Sequence, residues 1–160
     1  MSLNFFNALG ISLLSLALGC GIYVESFCSQ IPCSLCFLQR SAMLMTAVGL
    51  YWNLLYGIQV KHYAFSLLSA LLGLTFSLRH MGLNVCKPAE ETTFLFFSCR
   101  IYTWSFLVFF FSLLALVILL FFDRKTPMAS LRVRRGIGSL LIAMTAVCLI
   151  SALYHKGFSF

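Results

Sequence analysis

The stretch YTWSFLVFFFSLLALVILLFF, residues 102–122, contains no charged side chain and no alternation of polar with apolar positions. Spanning about 30 Å of hydrocarbon takes roughly 20 helical residues. Lipid offers no hydrogen-bond partner, so the backbone groups must pair within the segment, and the stretch reads as a membrane-spanning helix. Four further runs rich in Leu, Phe and Ala qualify, at residues 5–24, 37–58, 63–80 and 137–154, the last two being the shortest. None has the period-two pattern of a barrel strand. Composition agrees: the 160 residues are 61% hydrophobic and 9% charged, with a mean hydropathy of +0.99, too few polar groups to cover a water-soluble globule.

Basic residues assign the two sides. Arg124, Lys125, Arg132, Arg134 and Arg135 follow the fourth run, Lys61 lies between the second and third, and span parity puts all six on one face. That face is expected to be cytoplasmic, with the N-terminus inside. The other face carries Glu25, Glu90 and Glu91 among scattered Arg79, Lys87, Arg100 and Lys156. The net charge of +7 then reads as a positive-inside signal with attraction to anionic lipid. No nucleic-acid partner is expected, because no soluble domain stands clear of the spans to dock a duplex. The first run has no basic start and no small-x-small cleavage pattern, so it is expected to remain as a span. Cys20 within it is expected to be a buried small apolar side chain.

No 20–50-residue repeat, low-complexity tract or long linker divides the chain, which reads as one all-α transmembrane bundle. Residues 59–62 form a tight inner turn, and residues 81–100 the long outer loop. Within that loop TTFLFF, residues 92–97, is too short to span and too apolar for open water, so it is expected on the membrane surface. His62 and His155 are expected to be solvated or at headgroups. Asn53 is expected to bond a neighbouring helix, while Tyr51, Trp52 and Tyr56, like Tyr102 and Trp104, suit an interfacial aromatic belt.

The chemistry concentrates in four cysteines. Cys33 and Cys36 open the second run, Cys86 and Cys99 follow the third, and the two intervening spans return both pairs to the outer face, where disulfides persist. Pro32 suits the first turn of a helix, which puts Cys33 and Cys36 one turn apart on one face. The amide groups and dipole at a helix start stabilise a thiolate there. A C-x-x-C is also half of a zinc site, but the wide spacing of the second pair does not resemble a zinc knuckle, and no metal is expected. Arg40 lies one turn deeper than Cys36. A guanidinium at that depth needs an anionic or polar partner, such as a thiolate or a quinone oxygen, unless it snorkels to the headgroups. Two dithiols on one face, one at a helix mouth, point to a thiol-disulfide relay.

The string PCSLCFLQR, residues 32–40, opening the second span and followed by a cysteine pair in the next outer loop, resembles the disulfide bond formation protein family DsbB and its BdbC-type relatives. The resemblance covers roughly residues 1–124. It implies a four-helix redox core, with residues 125–160 adding a basic inner segment and an extra C-terminal helix. It further implies a quinone-dependent thiol oxidase of the bacterial cytoplasmic membrane, with ubiquinone or menaquinone as cofactor and a DsbA-like thioredoxin-fold oxidase as partner. In that scheme Cys86 exchanges with the partner, Cys99 links transiently to Cys33, and Cys36 contacts the quinone. Arg40 lies beside the ring and His80 near it. Phe37, Leu44 and Leu78 are candidates to line the approach from lipid.

The run 137–154 goes beyond the four-helix plan and is expected to span, with a helix along the inner surface as the alternative. Its Cys148 is expected to be buried and inert, and Cys28 to stand apart from the relay. Two rivals stay open. A vitamin K epoxide reductase-like protein also couples a C-x-x-C to a quinone, although it carries that pair late in the chain. A small transporter or metal-binding scaffold would leave Cys86 and Cys99 without a redox partner.

Overall fold

The apolar runs fold into five helices, α1 (Leu3–Phe27), α2 (Ser34–Tyr56), α3 (Val60–Asn84), α4 (Ile101–Phe121) and α5 (Leu131–Gly157). A two-residue strand pair, β1 (Leu95–Phe96) and β2 (Cys99–Arg100), is antiparallel and pairs Phe96 with Cys99 just before α4. This is a computed structural model, and it describes residues 3–27, 34–84, 95–96, 99–121 and 129–157. The chain is an all-helical transmembrane bundle in which α1, α3, α4 and α5 are each long and apolar enough to cross a membrane.

The remaining helix, α2, falls short of that hydropathy because Gln39, Arg40 and Asn53 interrupt it. Its position explains how it tolerates them. It packs against α1, α3 and α5, so protein rather than lipid surrounds its polar residues. Gln39, Ala42, Met43, Thr46, Ala47, Gly49, Leu50, Asn53 and Leu54 are all buried. The apolar core is built on this helix, with Ile11, Leu14 and Leu18 from α1, Tyr63 and Ala70 from α3, Phe109 and Leu116 from α4, and Leu141 and Cys148 from α5.

Small residues set how closely the helices approach. A Cβ at Gly49 would collide with Ser66 Oγ and come within 3.0 Å of the His62 carbonyl oxygen, and one at Gly73 would enter the ring of Phe109. These contacts draw α3 against α2 on one side and α4 on the other. They also fix the level of each helix. The first turn of α2, the last turn of α3 and the first turn of α4 share one end of the bundle, and the turn after α2 lies at the other. That turn is shorter than the expected 59–62: α3 already begins at Val60, and Gly57 takes a positive φ of 84° to reverse the chain.

α5 runs lengthwise along α1 and α2. The Ala129 N–H donates to the Leu54 carbonyl at 3.3 Å, the Tyr51 hydroxyl donates to the Arg134 carbonyl at 3.3 Å, and Met144 reaches Gly19. α5 therefore starts beside the end of α2 and runs parallel to α1. That is the packing of a span and not of a helix lying across the inner surface. It is also longer than the expected run, because the basic residues 132–135 form its first turns.

Candidate functional site

Cys36 lies in the first turn of α2, partly buried, and no acidic residue shares that turn. The helix was expected to open near Pro32, whereas its described part opens at Ser34. Cys33 lies outside the described residues, as do Cys28 and Cys86. Arg40, one turn below Cys36, does not stretch to the headgroups. Its Nη2 donates to the Gly21 carbonyl of α1 at 3.3 Å, which holds the guanidinium, partly buried, between the two helices.

His80 occupies the last turns of α3 at the same end, partly buried, with Nδ1 shielded from solvent. The backbone of Cys99 sits in β2 immediately before α4. Cys36, Arg40, His80 and the Cys99 backbone thus gather at one end of the bundle. Three elements, α2, α3 and β2, deliver them, and only the shared end brings them near one another.

Below this end, α1 and α4 stand apart and leave an apolar groove of about 850 Å³. Leu9, Leu13, Trp104, Leu107, Phe111 and Ala115 are among the side chains on its walls, and Thr46 and Leu50 of α2 form its floor. Phe37, Leu44 and Leu78, the expected lining of a lipid-side approach, do not line this groove. Phe37 and Leu78 are about half exposed, and the opening lies between α1 and α4.

Two side chains differ from expectation. His62 is buried at the opposite end: its Nδ1 lies 3.2 Å from Asn53 Oδ1, an atom that also accepts the Gln59 N–H at 3.1 Å. The Trp52 and Tyr56 rings flank it. It joined the core because α3 begins two residues before it, turning its ring toward α2, where Asn53 bonds the neighbouring helix as expected. Cys20 is exposed on the outer face of α1, because the core-facing stripe of that helix passes through Ile11, Leu14 and Leu18. Cys148 is buried. Of the TTFLFF segment, Leu95 and Phe96 form β1 and the rest lies outside the described residues.

Gln39 had no assigned role in the sequence. It is 4% exposed, and its Nε2 has no hydrogen-bond partner among the described residues. A signal existed: Gln39, Thr46 and Asn53 recur every seven residues, which puts three polar side chains on one face of an otherwise apolar helix.

Compared with known families, the one described as "Disulfide bond formation protein DsbB" matches residues 4–104. The chain belongs to the DsbB family. No curated protein and no solved structure matches it. As a DsbB-family protein it is a multi-pass membrane protein of disulfide-bond formation, with the role of a thiol oxidoreductase. The matched DsbB region contains Cys33, Cys36, Arg40, His80, Cys86 and Cys99, and it ends in the first turn of α4, so the rest of α4 and all of α5 lie beyond it.

Proposed function

We propose that this chain is a quinone-dependent thiol oxidase that reoxidises a DsbA-like thioredoxin-fold dithiol protein outside the cytoplasm. A thiolate of the partner attacks the Cys86–Cys99 disulfide and forms a mixed disulfide with Cys86, releasing Cys99. The second partner thiolate resolves that bond, and the partner leaves oxidised. Cys99 then exchanges with the Cys33–Cys36 disulfide through a transient Cys99–Cys33 bond, which regenerates Cys86–Cys99 and leaves Cys33 and Cys36 reduced. A quinone of the membrane, ubiquinone or menaquinone, would take the two electrons and two protons that restore Cys33–Cys36.

The residues fit such a group. The start of α2 favours a thiolate at Cys36, Arg40 offers a positive charge one turn below it, and the groove between α1 and α4 opens to lipid with walls suited to an apolar tail. His80 lies at that end of the bundle and is the proposed second polar neighbour of the ring. Lys61, Arg132, Arg134 and Arg135 at the opposite end support an outer location for this end. The observation that carries the proposal is Cys36 in the first turn of a protein-enclosed helix, with Arg40 tied one turn beneath it.

The test is quinone absorbance in membranes supplied with a reduced thioredoxin-fold dithiol protein. The natural chain should bleach the quinone band as dithiol disappears, one for one, and Cys36→Ser should abolish bleaching while its Cys86–Cys99 disulfide still oxidises at most one equivalent of the dithiol. Bleaching at the natural rate by Cys36→Ser would overturn the proposal.

A further inference from the structure

We propose that the side-chain amide of Gln39 donates a hydrogen bond to a carbonyl oxygen of the quinone head group. This rests on the quinone-dependent reading above and assigns a residue to it. Buried polar groups almost always find a partner, and a primary amide brings two donors into a membrane bundle where leaving them unmet is costly. Gln39 is 96% buried by the same measure that leaves it 4% exposed, yet Nε2 meets no acceptor among the described residues. The missing partner is an acceptor, and it must come from outside the polypeptide described.

Helical geometry says where that acceptor lies. At about 100° per residue, Gln39 falls about 20° from Thr46 on one side and about 20° from Leu50 on the other. Those two residues form the floor of the groove between α1 and α4. Gln39 itself does not line the groove; it lies on the same stripe of α2, two turns beyond Thr46 toward Cys36. The opposite wall extends to a similar level through Trp104, five residues outward of the Phe109 ring that abuts Gly73. A molecule with an apolar tail in the groove and an acceptor oxygen at its outer end meets the amide one turn below Cys36. Arg40 is turned aside toward α1 by its bond to Gly21, so the two side chains approach the outer end of the groove from different directions. A water molecule is the competing acceptor.

The test uses the full chain in lipid nanodiscs with a decyl-substituted benzoquinone labelled with carbon-13 at one carbonyl or the other, read by isotope-edited infrared spectroscopy. One carbonyl stretch should lie below its frequency in protein-free nanodiscs. In Gln39→Leu and Gln39→Met that band should return toward the protein-free position, and KM for the quinone should rise about three- to tenfold, with kcat at saturating quinone little changed. Two variants guard against a folding failure in either, and the natural chain's spectrum is informative alone. Unshifted carbonyls in the natural chain, or a shift that persists in both variants, would overturn the assignment to Gln39 while leaving quinone reduction intact. Absence of any dithiol-driven quinone reduction by the natural chain would remove the underlying reading, and the assignment with it.

Discussion

Asn53 takes two hydrogen bonds on one oxygen, from the Gln59 amide and from His62 Nδ1. An amide oxygen only accepts, so Nδ1 is the protonated ring nitrogen. Asn53→Leu would take this shared acceptor from the buried His62 ring and the part-buried Gln59 amide, at about 1–3 kcal/mol for such a loss. Thermal unfolding in detergent should show a clear drop, and Asn53→Leu combined with His62→Leu should recover part of it, because the orphaned ring is then gone. How far such details could be read from sequence depended on whether direction along the helix sufficed. Cys36 and Arg40 could be paired because four residues is one turn. His62 could not be placed, since a lone histidine near a turn is solvated or buried according to where the helix starts, and a shift of two residues decides it. Gln39 was hidden for a similar reason: its burial depends on which face of α2 meets α1 and α4, and that is fixed by packing alone.

At the scale of elements, hydropathy located the five helices but cut short the starts of α3 and α5. α3 and α5 extend past their apolar runs because polar and basic residues continue a helix as readily as apolar ones, so Lys61 and Arg132 to Arg135 sit inside helices. α2, read as one span among five, packs against α1, α3 and α5, a central place that its apolar run did not show. α5, beyond the matched family region, is part of that packing. Its contact is locked by Gly138, where a Cβ would strike the Tyr51 hydroxyl. Gly138→Phe should therefore pry the start of α5 from α2. Cys148, buried on α5, reports the event: its alkylation by a membrane-permeant maleimide should speed up severalfold, with Cys20 labelling as the unchanged control because Cys20 is already exposed on α1. An unchanged Cys148 rate would mean that α5 docks without this contact.

For the whole molecule, the pattern of helix contacts determines which side lies open. α3 and α5 cover α2 on two sides and α1 on a third, while α1 and α4 meet only sparsely, and the lipid-facing groove falls between them. A tail moving from lipid into this groove leaves one hydrocarbon environment for another, so water release contributes little and shape match decides the affinity. The outcome should depend on tail length. Ala115 lines the groove and is exposed toward lipid, and Ala115→Trp would fill space there without touching Cys36, Arg40 or Gln39. KM for a long isoprenoid quinone should rise a few-fold, whereas a quinone carrying only methyl groups should be oxidising the dithiol as before. Steady-state rates with the two quinones, measured in the same nanodiscs, separate the possibilities. Equal increases for both would mean that the indole disturbs the head-group end, and no increase for either would mean that the tail lies elsewhere on the bundle.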